Sequence, residues 1–172
     1  DLSRKLITST TATVVEQLTS FFETADSNLR IAIEQLQMAP VSDDALMKNL
    51  FFHLSPFLNQ HPYTSGIIVA KVDADNEYFG VLKSKPTEFL VRIRSPDEWG
   101  RDKARLEQWQ NGEMVEGWIR NDDFDITSRP WYGDALEAGE NEIVTTAPYV
   151  FYTVDKPGIT ISTRWRRPDT NQ

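Results

Sequence analysis

A guanidinium and two large aromatics share four consecutive positions in Arg129-Pro130-Trp131-Tyr132. Arginine presents a planar fork of N–H donors that matches a carboxylate, and rings beside it supply flat apolar walls. On a short helix laid over a sheet, that combination is the chemistry of a small-molecule pocket. Spacing alone leans the other way. Aromatics are usually core, so Trp131 and Tyr132 would fill the interior while Arg129 bonds loop carbonyls.

The other chemistry-bearing residues point away from catalysis. His53 and His61 are the two histidines, and neither has an acid at ligand spacing. Asp73-Ala74-Asp75-Asn76-Glu77 opens like a calcium loop. Its sixth position is Tyr78 instead of Gly and its twelfth is Ser84 instead of Glu, so it reads as a hairpin turn. Asp122, Asp123 and Asp125 are candidates for a hydrolytic carboxylate pair, or else turn-forming side chains of a solvated loop. The chain has no cysteine, which excludes disulfides, thiolate zinc sites and a cysteine nucleophile. It also lacks a glycine-rich phosphate loop, a Gly-x-Ser-x-Gly elbow and a His-Glu-x-x-His pair. The expectation is a binding module, not an enzyme, with no metal and no cofactor.

Composition narrows the partners. The 172 residues suit one domain, and 18 basic against 26 acidic side chains give a formal charge of −8. That charge argues against a nucleic-acid binder, which needs a basic footprint. Five Trp, five Tyr and nine Phe can fill a core, which argues against disorder. No apolar run approaches bilayer length. The chain begins at Asp1 and not Met, and is read as a piece of a longer protein.

A pocket needs elements to hold it. Val15, Leu18, Phe22, Ala25, Leu29, Ala32 and Leu36 step by alternating threes and fours, the seam of a long helix over 1–38. Leu2, Leu6, Phe21 and Ile33 widen the seam. At 1.5 Å per residue the helix would be roughly 55 Å long, more than such a domain needs. It is either a core helix with a frayed start or a stalk that pairs with a second copy. Met38-Ala39-Pro40 stops it, and Ser42 caps a second helix that buries Leu46, Leu50, Phe51, Leu54 and Leu58. Pro56 predicts a kink or an end in its last turn.

From residue 65 the period becomes two. Strands over 66–72, 78–83 and 89–94 follow, the last alternating Phe89/Val91/Ile93 against Leu90/Arg92/Arg94. Residues 97–120 fit either a hairpin at Asn111-Gly112 or a helical turn over 102–110. A short helix over 129–136, ended by Gly139, precedes strands over 143–153 and 159–165, joined by a turn at 155–158. The expected fold class is α+β, with a long N-terminal helix, a second helix, and an antiparallel sheet of about five strands carrying a short pocket helix. The expected division is a stalk or dimerisation helix over 1–38, a module over 39–167 and a polar tail over 168–172.

One resemblance sharpens these expectations. Asp125-Ile126-Thr127-Ser128-Arg129-Pro130-Trp131-Tyr132, then Thr146-Ala147-Pro148-Tyr149-Val150-Phe151 and Pro157-Gly158-Ile159-Thr160-Ile161-Ser162, resembles the Cache sensor family. The closer likeness is to the membrane-distal module of double Cache domains. The long opening helix with Phe21-Phe22 and Asn28-Leu29, and the hairpin near Tyr78, follow the family's order. The likeness spans most of residues 1–165. It implies a PAS-like sensor of a bacterial chemoreceptor, histidine kinase or nucleotide cyclase, on the periplasmic side of a membrane that anchors the parent protein. It also implies that Arg129, Trp131 and Tyr132 line a pocket from the helix, and that Tyr149 joins them from the next strand.

Two positions depart from the amino-acid-binding branch of that family. Phe124 stands where the branch has a Tyr, and Phe151 and Tyr152 follow where it has an Asp for the ligand's amine. Without that carboxylate an ammonium group loses its charged partner. The expected ligand is therefore a small carboxylate or an apolar molecule, with Phe124 and Phe151 at the site. The alternative is a ligand-free dimerisation or spacer module whose pocket those two rings plug. The expected partners are a small molecule and a second copy through the N-terminal helix. Residues 166–172 are too few for a second module, so the chain is expected to be a fragment or a one-module member.

Overall fold

The computed structural model describes residues 2–37, 44–72 and 76–166. Helix α1 (Leu2–Gln37) carries the heptad seam, but the seam has two environments. Ala32 and Leu36 are buried and Phe22, Ala25 and Leu29 half-buried, whereas Ile7, Val14, Val15 and Leu18 are exposed. Residues 7–20 are exposed on every side, so only the C-terminal half of α1 packs on the body. Among the described residues no helix is long and apolar enough to cross a membrane.

Helix α2 (Asp44–Gln60) buries Leu50, Phe51, Leu54 and Leu58. Pro56 does not end it; the helix runs on to Gln60 with Pro56 on its exposed side. Two contacts hold the turn beyond the proline. Leu58 is fully buried, and the Lys83 ammonium donates to the carbonyls of Leu58 and His61, satisfying acceptors that a helix end leaves open.

The sheet is a meander of five antiparallel strands in sequence order, β1 (Gly66–Ala70), β2 (Tyr78–Lys85), β3 (Glu88–Arg94), β4 (Lys103–Gln110) and β5 (Glu113–Asn121). The short helix α3 (Pro96–Trp99) bridges β3 and β4. The ambiguous stretch is thus a hairpin, with Asn111 and Gly112 both left-handed at φ 53° and 85°, the twist a two-residue turn needs. Alternation then sorts the faces. Phe79, Val81, Phe89, Val91 and Trp109 pack under α1 and α2, while Tyr78 joins Phe124 and Ile126 in a second cluster on the opposite face.

Helix α4 (Pro130–Glu137) follows, close to the expected bounds. The two long final strands are corrected to four short ones. β6 (Ile143–Thr145) pairs with β9 (Ile161–Thr163), β7 (Tyr149–Phe151) pairs with β8 (Lys156–Gly158), and neither ladder joins the main sheet. Pro148 separates β6 from β7, and Pro157 has no N–H to extend pairing. The turn falls at 152–155 instead of 155–158, closed by Asp155 N–H donating to the Phe151 carbonyl. The Met38-Ala39-Pro40 stop, the Ser42 cap, Asp73-Ala74-Asp75, the tail over 168–172 and the side chains of Leu2, Leu6 and Leu46 lie outside the described residues.

Candidate ligand-binding site

Arg129 is aimed by the turn in front of it. The Asp125 carboxylate accepts from Thr127 N–H at 2.9 Å and Thr127 Oγ1 at 2.7 Å, closing an Asx turn. Ser128 Oγ and Arg129 Nε both donate to the Asp125 carbonyl. The Thr127 hydroxyl is the main reason the Asp125 carboxyl sits below the usual carboxylate range. Arg129 precedes Pro130, which favours its extended backbone (φ −88°, ψ 137°), and Pro130 opens α4 at the position where a missing N–H costs least.

With Nε committed, the two Nη nitrogens of Arg129 have no hydrogen-bond partner among the described residues. The guanidinium carbon lies 4.9 Å from the centres of both the Phe124 and Tyr152 rings. That is cation–π range, so the two rings hold the guanidinium between them. Arg129 is half-buried, facing neither bulk solvent alone nor a sealed core.

Phe124 is the floor of this arrangement, and a buried ion pair beneath it holds it still. Arg92 and Arg94 sit at alternate positions of β3, on the face away from α1 and α2. The buried Asp122 carboxylate accepts from Arg92 at Nε (3.1 Å) and at Nη2, and from the Tyr78 hydroxyl at 2.8 Å. Arg94 pairs with the same carboxylate at 3.7 Å and donates to the carbonyls of Asp122, Phe124 and Arg101. The Arg92 guanidinium carbon lies 4.7 Å from the Phe124 ring centre. Phe124 therefore contacts two guanidiniums, Arg92 from the sheet and Arg129. Burial pushes the Tyr78 hydroxyl up to about 12 and pulls the Arg92 guanidinium down from its ordinary value.

Tyr152 closes the other side from the β7–β8 turn. Its hydroxyl donates to the Asp123 carboxylate at 2.5 Å, which lowers the acid's pKa and raises the phenol's. Asp122, Asp123 and Asp125 thus each have a different structural partner: Arg92 with Tyr78, Tyr152, and Thr127. His53 is exposed near the middle of α2, and His61 stacks on Phe57 at 4.4 Å just past the helix end.

All six residues singled out from sequence, Phe124, Arg129, Trp131, Tyr132, Tyr149 and Phe151, line one cavity of about 1350 Å³. It is a trough between β1, the C-terminal half of α1, α4 and the segment 149–166. Trp131 and Tyr132 meet edge to face at 5.8 Å, as do Tyr149 and Phe151 at 5.1 Å. Tyr149 OH bonds Thr160 Oγ1 at 2.7 Å, and partial burial raises its pKa. The Phe151 ring lies across the α-carbon of Gly158, where a methyl would come within 2.5 Å of it.

Sequence reasoning passed over Tyr152 as a site residue and the charge of the trough. Among the described residues six basic side chains line it (Lys71, Lys83, Arg129, Lys156, Arg164 and Arg166) against one acid, Glu140, in a chain of formal charge −8. Lys71 is already paired with Glu77 at 3.1 Å, and the remaining excess of basic over acidic lining favours anions. These residues lie far apart in sequence, and only the fold brings them to one surface. Comparison with protein-family models, with curated proteins and with solved structures finds no match.

Proposed function

We propose that this chain is a non-catalytic, extracytoplasmic sensor module of a membrane-anchored bacterial signalling protein, and that it binds a carboxylate ligand at Arg129. The observation that carries this reading is the fork of Arg129. Among the described residues its Nη donors are unpartnered, it lies between two rings, and it faces a trough with more basic than acidic lining in an acidic chain. A bidentate carboxylate is the natural guest for such a fork. The open volume favours a ligand-binding module over a ligand-free spacer, because Phe124 and Phe151 line the trough without filling it. The Cache-like order of motifs supplies the receptor context.

Signalling would follow from the walls. Helix α1 packs on α2 and β9, and α4 packs on β6 and β9, so one unit links the trough to α1. A ligand that binds one arrangement of α4 and segment 143–165 better than another shifts the population, and α1 carries the shift toward the membrane. The exposed stripe of Ile7, Val14, Val15 and Leu18 would pair with the same stripe of a second copy.

The test is calorimetric titration of acetate, propionate, isovalerate and succinate, with their amides as controls, into wild type and Arg129→Ala. Binding of at least one acid, absence of its amide, and a loss of tenfold or more in the variant are expected. Equal binding by the variant would sink the clamp.

A further inference from the structure

β1 is the edge of the main sheet, and its outer side is a wall of the trough. Lys83 N–H donates to the Ser65 carbonyl and Lys71 N–H to the Glu77 carbonyl. With the register Ile67↔Val81 and Val69↔Phe79, residues 65, 67, 69 and 71 direct their backbone groups at β2. Gly66, Ile68 and Ala70 therefore direct theirs outward, into the trough. Among the described residues those three N–H and three C=O groups have no protein partner.

We propose that the trough takes an extended oligopeptide with a free C-terminal carboxylate, added as a sixth strand along β1 with its terminus on Arg129. The inference rests on the carboxylate reading and names the class of ligand. Three features support it. A peptide backbone supplies alternating donors and acceptors that match an open strand edge, and pockets beside the edge then select side chains. An alkyl carboxylate lying there would instead leave each edge group facing hydrocarbon, at about 1–3 kcal/mol apiece. Room agrees, because an open trough of about 1350 Å³ along β1 admits an extended chain.

Placement agrees too. Ile68, Ala70, Trp131 and Tyr132 pack against the same Tyr78–Phe124–Ile126 cluster, and Arg129 stacks on Phe124. The fork thus stands near the Ala70 end of β1, where a strand of four or five residues would deliver its terminus; five residues of strand span about 17 Å. Alternate side chains of the guest would meet Leu29, Ile33 and Phe57 on one side and Trp131 and Tyr132 on the other.

The experiment titrates an acetyl-capped pentapeptide of alternating valine and threonine, as free acid and as C-terminal amide, into the full 172-residue chain. Two further free acids carry N-methyl groups at the odd or at the even positions, and isovalerate serves as the small carboxylate. The free acid should bind at least tenfold tighter than the amide and than isovalerate. One N-methyl register should lose tenfold or more while the other stays within twofold. Ile68→Pro removes an outward N–H without touching the β2 ladder, and should weaken the peptide at least tenfold more than it weakens isovalerate. Equal tolerance of both registers, a peptide no tighter than isovalerate, or self-association in sedimentation that survives Leu18→Glu with Val14→Glu and is lost with Ile68→Pro would overturn the inference. Arg129-dependent binding of isovalerate would then leave the sensor reading standing. Failure of every carboxylate would remove both.

Discussion

Replacing Asp122 by alanine is the most informative perturbation of the scaffold under the site. Its side chain is 1% exposed, and those of Arg92 and Arg94 are 5% and 8% exposed. Truncation leaves the buried Arg92 guanidinium without its counter-ion and the Tyr78 hydroxyl without its acceptor. Breaking a buried pair from one side costs about 3–5 kcal/mol. Against a total stability of about 5–15 kcal/mol, that is a large fraction of the whole. Exchanging both partners for apolar groups is commonly far cheaper, so Asp122→Leu with Arg92→Met should recover about 2 kcal/mol or more of the single variant's loss. Urea unfolding at pH 7, followed by tryptophan fluorescence, reads all three chains. The Phe124 N–H also donates to Asp122, so Asp122→Ala should weaken carboxylate binding at Arg129 even while the chain remains folded. A loss under about 1 kcal/mol, or a double variant worse than the single, would refute Asp122 as the counter-ion that fixes the floor.

Further outcomes follow from the same contacts. Tyr78 is held near 12 against an ordinary value of 10, so its neutral form stabilises the fold below pH 10; roughly 3 kcal/mol of stability is lost as pH rises from 10 to 12, and Tyr78→Phe should flatten that decline in urea titrations. Gly158→Ala should push the Phe151 ring off its seat and change isovalerate affinity by threefold or more, with thermal stability as the control for folding. Tyr152→Phe removes an exposed hydrogen bond and should shift stability by less than about 0.5 kcal/mol, yet it frees the β7–β8 turn and should speed ligand dissociation in stopped flow. Leu18→Glu with Val14→Glu should abolish self-association in equilibrium sedimentation while leaving the module's unfolding transition in place; an unchanged dimer would exclude α1 pairing.

What the sequence disclosed and what it withheld divide along one physical line. Local patterns carried well. The 3.5-residue seam marks α1, Asn111-Gly112 is a left-handed turn pair, and Arg129-Pro130 opens α4. The split environment of α1 was not legible, because Val15 and Leu36 are equally apolar in sequence and differ only in what lies opposite. Pro56 misled for a related reason: the buried Leu58 and the Lys83 contacts, made 25 and 22 residues apart, outweigh a local helix breaker. The first of the two final strands broke at Pro148, whose effect on pairing could have been read from sequence. Arg92 and Arg94 stood in plain view as alternate residues facing away from Phe89, Val91 and Ile93, a placement that would bury two cations and so demands an acid from elsewhere. Asp122 is that acid, and its neighbours Asp123 and Asp125 disguised it as part of a solvated loop. Consecutive acids in a loop can thus serve unrelated ends. One neutralises a buried arginine, one ties down Tyr152, and one folds the turn that leaves the Nη donors of Arg129 free for a guest.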